Sequence, residues 1–330
     1  MLLLGEQHAV LQSELDCELE AVARCFAREL RSDLPCVNEL TVYLEKYRGK
    51  MLRPTLLLLS AKAASPHRAI AHDQRTLAAV VEMVHMATLV HDDVLDESDV
   101  RRRVHTINRL RGNEAAVMLG DYLISHAYHL CSGLGSTALS RLIAHATNTV
   151  CEGELLQLSN RTNWSLDEAT YMEIIRRKTA ALCGVSARLG AILVEAHEPV
   201  ADALETYAER AGAAFQIIDD VLDLTGDPKI VGKSLGKDLE KGKLTLPIIR
   251  HLSASTDAER KATLALLARG GEEAAHQIVT RLTSGDGIDY ARSRAAAIVR
   301  EANQSLAALP ESPARELLTH MAEAILTRRL

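Results

Sequence analysis

Met83-Val84-His85-Met86-Ala87-Thr88-Leu89-Val90-His91-Asp92-Asp93-Val94-Leu95-Asp96 runs without a formal charge until it ends on three carboxylates. The pentapeptide Asp-Asp-Val-Leu-Asp returns at Asp219–Asp223, again behind an uncharged run, Ala211 to Ile218. On a helix, Asp92 and Asp96 share one face, as do Asp219 and Asp223, because residues four apart are neighbours. Two carboxylates about 4 Å apart repel by roughly 4 kcal/mol at an effective dielectric near 20. A position toward a helix C-terminus, where cations are favoured, adds to that penalty. A single such cluster on an exposed helix reads as a solvated acidic face. Two copies, each framed by apolar residues (Val94 and Leu95; Val221, Leu222 and Leu224), are too costly to leave without a partner. Oxygen ligands with no His or Cys among them point to magnesium, which shares its shell with water and substrate phosphate. The candidate ligands are Asp92, Asp93, Asp96, Asp219, Asp220 and Asp223.

Outward from these motifs the spacing of apolar residues is helical nearly everywhere, and no run alternates as a strand would. Hydrophobic residues make up 47% of the 330, but aromatics only 3%, so the interior must be built from the helix-forming Leu and Ala with Val and Ile. The eight prolines stand mostly where helices should begin or end, and the longest loop-like stretch runs from Thr225 to Leu246. No composition shift marks a boundary. The expectation is an all-α helical bundle forming a single domain over residues 1–330.

The net charge of −6 argues against nucleic acid as the main partner. Cys17, Cys25, Cys36, Cys131, Cys151 and Cys183 form no CxxC pair and read as small buried hydrophobes in a reducing compartment. The opening Met1–Glu6 has too short an apolar run for a signal peptide, and no stretch approaches the length of a membrane span. A cytoplasmic enzyme without a transmembrane segment is expected.

Carboxylate-bound magnesium needs an anionic ligand, and a diphosphate is the obvious one. Its remaining oxygens call for Lys and Arg. Four basic clusters supply them: Lys50 with Arg53, the Arg101-Arg102-Arg103 run behind Asp96, Lys178-Thr179 after Arg176-Arg177, and Lys233 with Lys241 and Lys243. Arg176, Arg177 and Lys237 read as solvated surface charges. The order of the whole set is the informative feature.

That set resembles the trans-isoprenyl diphosphate synthases, or polyprenyl synthetases, from about Gly49 to Pro247. The matching motifs are Gly49-Lys50-Met51-Leu52-Arg53-Pro54, His85 seven residues before the first Asp, and the acidic motif with its arginines. They continue with Glu152-Gly153-Glu154-Leu155-Leu156-Gln157, Lys178-Thr179, Phe215-Gln216-Ile217-Ile218-Asp219-Asp220, Gly232-Lys233 with Asp238, and Gly242–Pro247. The resemblance implies an isoprenoid-synthase-type helical bundle around a deep central cavity, usually a homodimer. It implies that Lys50, Arg53, His85 and Arg102 hold the diphosphate of isopentenyl diphosphate. Magnesium on Asp92 and Asp96, with Asp219 and Asp223 opposite, would hold the allylic diphosphate (farnesyl or geranylgeranyl), which Arg101, Lys178, Thr179, Gln216 and Lys233 would also contact. Catalytic roles then fall to Asp92, Asp96, Arg101, Lys178, Asp219 and Lys233. Two positions depart from the family: Met51 replaces a usual basic residue and Arg103 a usual glycine. Within the family the chain is most similar to the long-chain enzymes that make quinone side chains.

Product length is readable one turn before the first motif. Thr88 and Ala87 lie four and five residues before Asp92, with Val84 and Met83 a turn further, and each turn of about 5 Å spans roughly one isoprene unit. Short-chain members carry aromatics there, whereas Ala87 and Thr88 leave the cavity open, and the resemblance to the long-chain enzymes implies a product of about forty carbons, with each turn gating roughly one unit. The alternatives at this point are a shorter-chain synthase, a class I terpene cyclase and a non-catalytic subunit of a heteromeric synthase. A cyclase typically lacks the second full acidic motif and lines its cavity with aromatics to steer cations. A regulatory subunit usually loses one acidic motif.

Overall fold

Leucine and alanine build long helices here, and two of them carry the acidic motifs on their last turns. The structure, a computed structural model, describes residues 6–47, 49–226 and 236–328. Lys233, named above for its charge, lies outside them, as does part of the stretch expected as the longest loop. The contacts divide the chain into two compact units.

The first unit takes Met1–Thr147, Leu182–Ala208 and Leu306–Leu318. Its helices include α1 (Glu6–Glu29), α2 (Pro35–Leu44), α3 (Leu52–Ala64), α4 (His72–Leu95), α5 (Ile107–Arg111) and α6 (Asn113–Gly133). Helix α4 packs against α1, α3 and α6. Every residue from Leu77 to Val84 is buried, Glu82 included, so α4 is enclosed all round as a core helix is. Each of its buried Val, Leu and Met side chains contributes on the order of 1.5–3 kcal/mol. The Gln74 side chain accepts the Ala71 N–H at 2.5 Å to start α4, and Asp96 caps its C-terminus.

Behind α4 the chain makes a hairpin that the helical reading did not anticipate. Strand β1 (Val100–Arg101) pairs antiparallel with β2 (Val104–His105), and the two are the only strands among the described residues. Arg102 and Arg103 form the two-residue tip, both with positive φ, 48° and 67°. Two-residue hairpin loops favour that conformation because its twist matches the strands, but side chains other than Gly or Asn pay about 1–2 kcal/mol each for it.

The second unit takes Asn148–Ala181, Glu209–Ser305 and Thr319–Leu330. To it belong the C-terminal parts of α7 (Thr137–Ser159) and of α10 (Glu198–Thr225), together with α8 (Glu168–Ile175). Between α8 and α9 (Ala181–Ile192) the helix widens into a π-helical turn, Arg176–Ala180. After α11 (Lys237–Glu240), helix α12 (Leu246–Ala254) packs on α8 and, beyond α13 (Asp257–Arg269) and α14 (Gly271–Ser284), on α15 (Gly287–Ser305). Helix α16 (Pro313–Leu326) is the last. Pro35, Pro199, Pro247 and Pro313 occupy the first or second residues of α2, α10, α12 and α16, where the missing N–H costs nothing.

The fold is all-α, as expected. No helix is long and apolar enough to cross a membrane among the described residues. The cysteines are all free, but Cys17, Cys36 and Cys151 are exposed, which corrects the expectation that all six fill the core.

Candidate active site

In the first unit, α4 delivers its acids at its C-terminal end. The Asp96 N–H donates to the Asp92 carbonyl at 2.8 Å, so the two side chains stand one turn apart, both half-buried. Asp93 turns the other way. Its side chain is only 2% exposed, and both oxygens accept from Arg101 Nε at 3.0 Å while Nη2 lies 2.9 Å from Oδ1. A fork-on-carboxylate pair of this kind fixes direction as well as charge. Burial pushes the Tyr47 phenol pKa up, and the Asp93 charge beside it adds to that rise.

Two turns before Asp92, His85 is held neutral: burial first, then the charges of Arg53, Arg102 and Arg101, drive its pKa well below the usual range. Arg53 follows the left-handed Met51, φ 49°, which opens α3. The Arg53 Nε is buried with no hydrogen-bond partner among the described residues. An unpaired guanidinium nitrogen beside a neutral imidazole is a cradle for an anion. Ala87 is fully buried, and the Thr88 hydroxyl is turned back to donate to the His85 carbonyl at 2.7 Å.

In the second unit the same pentapeptide lies at the end of α10. Asp219 is exposed, with Arg328 Nη2 at 3.6 Å from its carboxylate and that guanidinium stacked 4.0 Å over the Phe215 ring. Asp220 is buried and accepts from the Tyr171 hydroxyl at 2.6 Å and from Gln216 Nε2 at 2.8 Å. Gln216 Oε1 in turn accepts from the Thr179 hydroxyl at 3.1 Å. Burial, and behind it the charge of Asp238, pushes the Asp220 pKa well above the usual carboxylate range. The same two causes raise Asp223 to about 7. A set of acids that cannot all ionise together invites a cation.

Lys178 and Thr179 sit on the π-helical turn, a distortion frequent at functional sites. Helix α7 approaches that turn closely: a Cβ on Gly153 would stand 2.4 Å from the Lys178 backbone nitrogen. The flanking Glu152 and Glu154 pair with Arg177 and Lys178, which explains the Glu-Gly-Glu triplet. Arg176 is bound by Glu173 at 2.8 Å, consistent with a structural surface charge. A cavity of about 120 Å³ is lined by Tyr171, Lys178, Thr179, Gln216, Asp220 and Asp238. Sequence reasoning gave Tyr171 and Asp238 no role. Among the described residues no three His, Cys, Asp or Glu side chains converge as a finished metal cage. Magnesium does not require one, because it keeps several waters and takes phosphate oxygens.

The polyprenyl synthetase family profile matches residues 35–282. The chain belongs to this family. An octaprenyl diphosphate synthase of Haemophilus influenzae is 35% identical over 314 residues, 94% of each chain. A geranylgeranyl pyrophosphate synthase of Geoglobus acetivorans is 36% identical over 290 residues, 86% of this chain and 88% of that one. The crystal structure of a Caulobacter crescentus polyprenyl synthase, complexed with calcium and isoprenyl diphosphate, superposes with a TM-score of 0.88 at 30% identity, covering 96% of this chain and 98% of that one. The protein is thus a prenyltransferase of isoprenoid biosynthesis. Arg103, where the resemblance implies a glycine, is left-handed, φ 67°, a conformation that glycine adopts most readily.

Proposed function

We propose that this polyprenyl synthetase uses magnesium to condense isopentenyl diphosphate with farnesyl or geranylgeranyl diphosphate. The product would be an all-trans polyprenyl diphosphate of about forty carbons, by similarity to the octaprenyl diphosphate synthase above. The observation that carries this reading is the burial of Asp220 and Asp223 with Asp219 and Asp238 beside them: burial first, and behind it the neighbouring carboxylates, raises both pKa values. The same unit sets Asp220 and Asp238 in one cavity with Lys178.

Asp92, Asp96, Asp219 and Asp223 would hold the magnesium ions, while Asp93 and Asp220, whose oxygens already accept internal hydrogen bonds, would hold the motifs in shape. Bound magnesium would act as a Lewis acid on the allylic diphosphate. Arg101, Lys178 and Lys233 would stabilise charge growing on the departing pyrophosphate, an interaction strongest in the transition state. Lys50, Arg53 and Arg102 would hold isopentenyl diphosphate for attack on the allylic cation. Neutral His85 would donate a hydrogen bond there without adding a further positive charge. No side chain presents itself as general base, so the departing pyrophosphate would take the proton. Apolar α4, with Ala87 and Thr88, would keep water from the cation and leave room for the growing tail. We further propose that residues 1–330 act as one catalytic domain, as a cytoplasmic homodimer, and that the product serves as a quinone side-chain precursor.

Purified protein incubated with farnesyl diphosphate, labelled isopentenyl diphosphate and magnesium should yield a ladder ending near forty carbons. A cyclised hydrocarbon, or no incorporation, would overturn the reading. Ala87→Phe should shorten the product to about fifteen or twenty carbons, since at roughly one unit per turn the ring would block the tail near the first motif. An active Phe variant with an unchanged product would show that the tail does not pass Ala87.

A further inference from the structure

Tyr171, on α8, has no part in the chemistry proposed above, yet its buried hydroxyl donates to Asp220 Oδ2 at 2.6 Å. The other carboxylate oxygen, Oδ1, accepts at 2.8 Å from Nε2 of Gln216, one turn earlier on α10. Gln216 presents its Oε1 to the Thr179 hydroxyl, which donates to it at 3.1 Å. Three hydrogen bonds therefore run from α8 through the second acidic motif to the π-helical turn that carries Lys178. All four side chains line one cavity together with Lys178, and all lie in the second unit.

The chain has a direction. An amide is asymmetric, because its nitrogen only donates and its oxygen only accepts. Tyr171 occupies one oxygen of Asp220, so the second is turned to Gln216 and takes the NH2 end of the amide. Thr179 occupies the amide oxygen from the far side. Gln216 is thereby locked at both ends, and one proton of its NH2 group remains outside the chain of hydrogen bonds. That proton can serve a phosphate oxygen. A reversed amide would set its own oxygen at the same place and repel one.

We propose that Tyr171 is a positioning residue for the allylic substrate: by holding Asp220 it fixes the amide of Gln216 so that an N–H, and not the carbonyl oxygen, meets the diphosphate. This rests on the reading of the cavity that holds Lys178 as the site of the allylic diphosphate. A Tyr171 that only fills its buried position would, when altered, weaken both substrates together or lower stability alone. The isopentenyl diphosphate ligands named above, Lys50, Arg53 and Arg102, all belong to the first unit and lie outside this chain of hydrogen bonds.

Tyr171→Phe keeps the ring and removes the hydroxyl. The wild-type protein is assayed first with farnesyl diphosphate, labelled isopentenyl diphosphate and magnesium. Absence of turnover there would defeat the functional reading rather than this inference. With an active wild type, Tyr171→Phe should raise the KM for farnesyl diphosphate about three- to tenfold, the effect of one misdirected hydrogen bond. Its calorimetric Kd for farnesyl diphosphate should rise in parallel, while the KM for isopentenyl diphosphate stays within about twofold. In a Gln216→Met background the same substitution should add less than about twofold, since the amide it directs is gone. Equal losses for both substrates, no change in either constant, or full additivity with Gln216→Met would overturn the proposal. If Tyr171→Phe does not fold, because it strands the Asp220 carboxylate, it is made together with Asp220→Asn, which strands no charge. With Asp220→Asn alone, Tyr171 holds the new amide oxygen, so the new NH2 faces Gln216 and forces it to reverse. Adding Tyr171→Phe releases that constraint, and the Kd for farnesyl diphosphate should fall at least about twofold relative to Asp220→Asn alone. An unchanged or higher Kd in the double variant would count against Tyr171 as the group that sets the amide.

Discussion

The two copies of Asp-Asp-Val-Leu-Asp end α4 and α10 in the same way and are held in opposite ways. In the first, the middle carboxylate, Asp93, meets a cation, Arg101, and the buried charge is balanced. In the second, Asp220 accepts, among the described residues, from the neutral donors Tyr171 and Gln216, and burial, with the Asp238 charge behind it, raises its pKa well above the usual range. The pentapeptide does not decide this. Position −4 from the middle Asp does part of it: Leu89 in the first copy, Gln216 in the second. The rest comes from partners far along the chain. A balanced motif is rigid without metal, whereas an unbalanced one holds electrostatic repulsion that a cation would relieve.

The largest effect should come from the outward acids, where the two copies are expected to behave alike. Asp92→Ala and Asp219→Ala should each cut turnover about a thousandfold, roughly 4 kcal/mol of lost transition-state stabilisation. Their metal-free melting temperatures should hold or rise, because a like charge has been removed. Near wild-type turnover in either variant at saturating magnesium would remove that motif from the site.

The inward acids should separate the copies. Asp93→Asn strands the Arg101 charge, which is partly exposed, so the loss should be about 2–3 kcal/mol rather than the ~3–5 of a fully buried broken pair. Asp220→Asn can be accommodated: the amide oxygen accepts from Tyr171, and Gln216 can turn its own oxygen toward the new NH2. Removing the charge also relieves the repulsion with Asp238. Its metal-free stability should be unchanged or higher. Denaturant melts of both variants check this, and equal destabilisation would erase the contrast between the copies.

Much of this is legible in the amino-acid sequence. The helical period carries the all-α fold, and the doubled motif carries the carboxylate pairs at helix ends. Local spacing cannot give the partners of Asp93 and Asp220. Tyr171 lies 49 residues from Asp220, and Tyr47 lies 55 from Arg102, so only tertiary packing joins them. The hairpin is hidden for a different reason. Two-residue strands are too short to show alternation, and an Arg-Arg tip lacks the Asn-Gly signal of such turns. The π-helical turn at Lys178 likewise has no period of its own; the Gly153 contact that accompanies it is visible only as a glycine between two glutamates.

Proton uptake should also have opposite signs in the two units. Asp223 titrates near 7 in the folded chain, above an unfolded carboxylate, so its neutral form is favoured by folding. The stability it lends is present at low pH and is lost as pH rises toward about 7. His85 is the reverse: its depressed pKa costs stability as pH falls below the usual imidazole value. Comparing wild type with Asp223→Asn cancels the His85 contribution. In chelator, the wild-type melting temperature should fall relative to the variant by roughly 3–6 °C between about pH 5 and 7.5, on the order of 1–2 kcal/mol. Magnesium should flatten the drift. A constant difference across that range would mean that Asp223 is not under electrostatic pressure.

The smallest effect belongs to the hairpin that follows the first motif. Arg103 sits at φ 67° on a tip whose neighbour is also left-handed, a conformation costing a non-glycine residue about 1–2 kcal/mol. Arg103→Gly relieves that cost but enlarges the freedom of the unfolded chain, which takes back roughly 0.5–1 kcal/mol. The net gain should be about 0.5–1 kcal/mol, a rise in melting temperature of roughly 1–4 °C. Arg101 and Arg102 keep their anchors at Asp93 and Tyr47, so neither KM should move by more than about twofold. The first motif is held through Arg101 on Asp93, not through the residue at 103. A glycine that stabilises the protein yet raises the allylic KM severalfold would show instead that the strained tip itself aims Arg101.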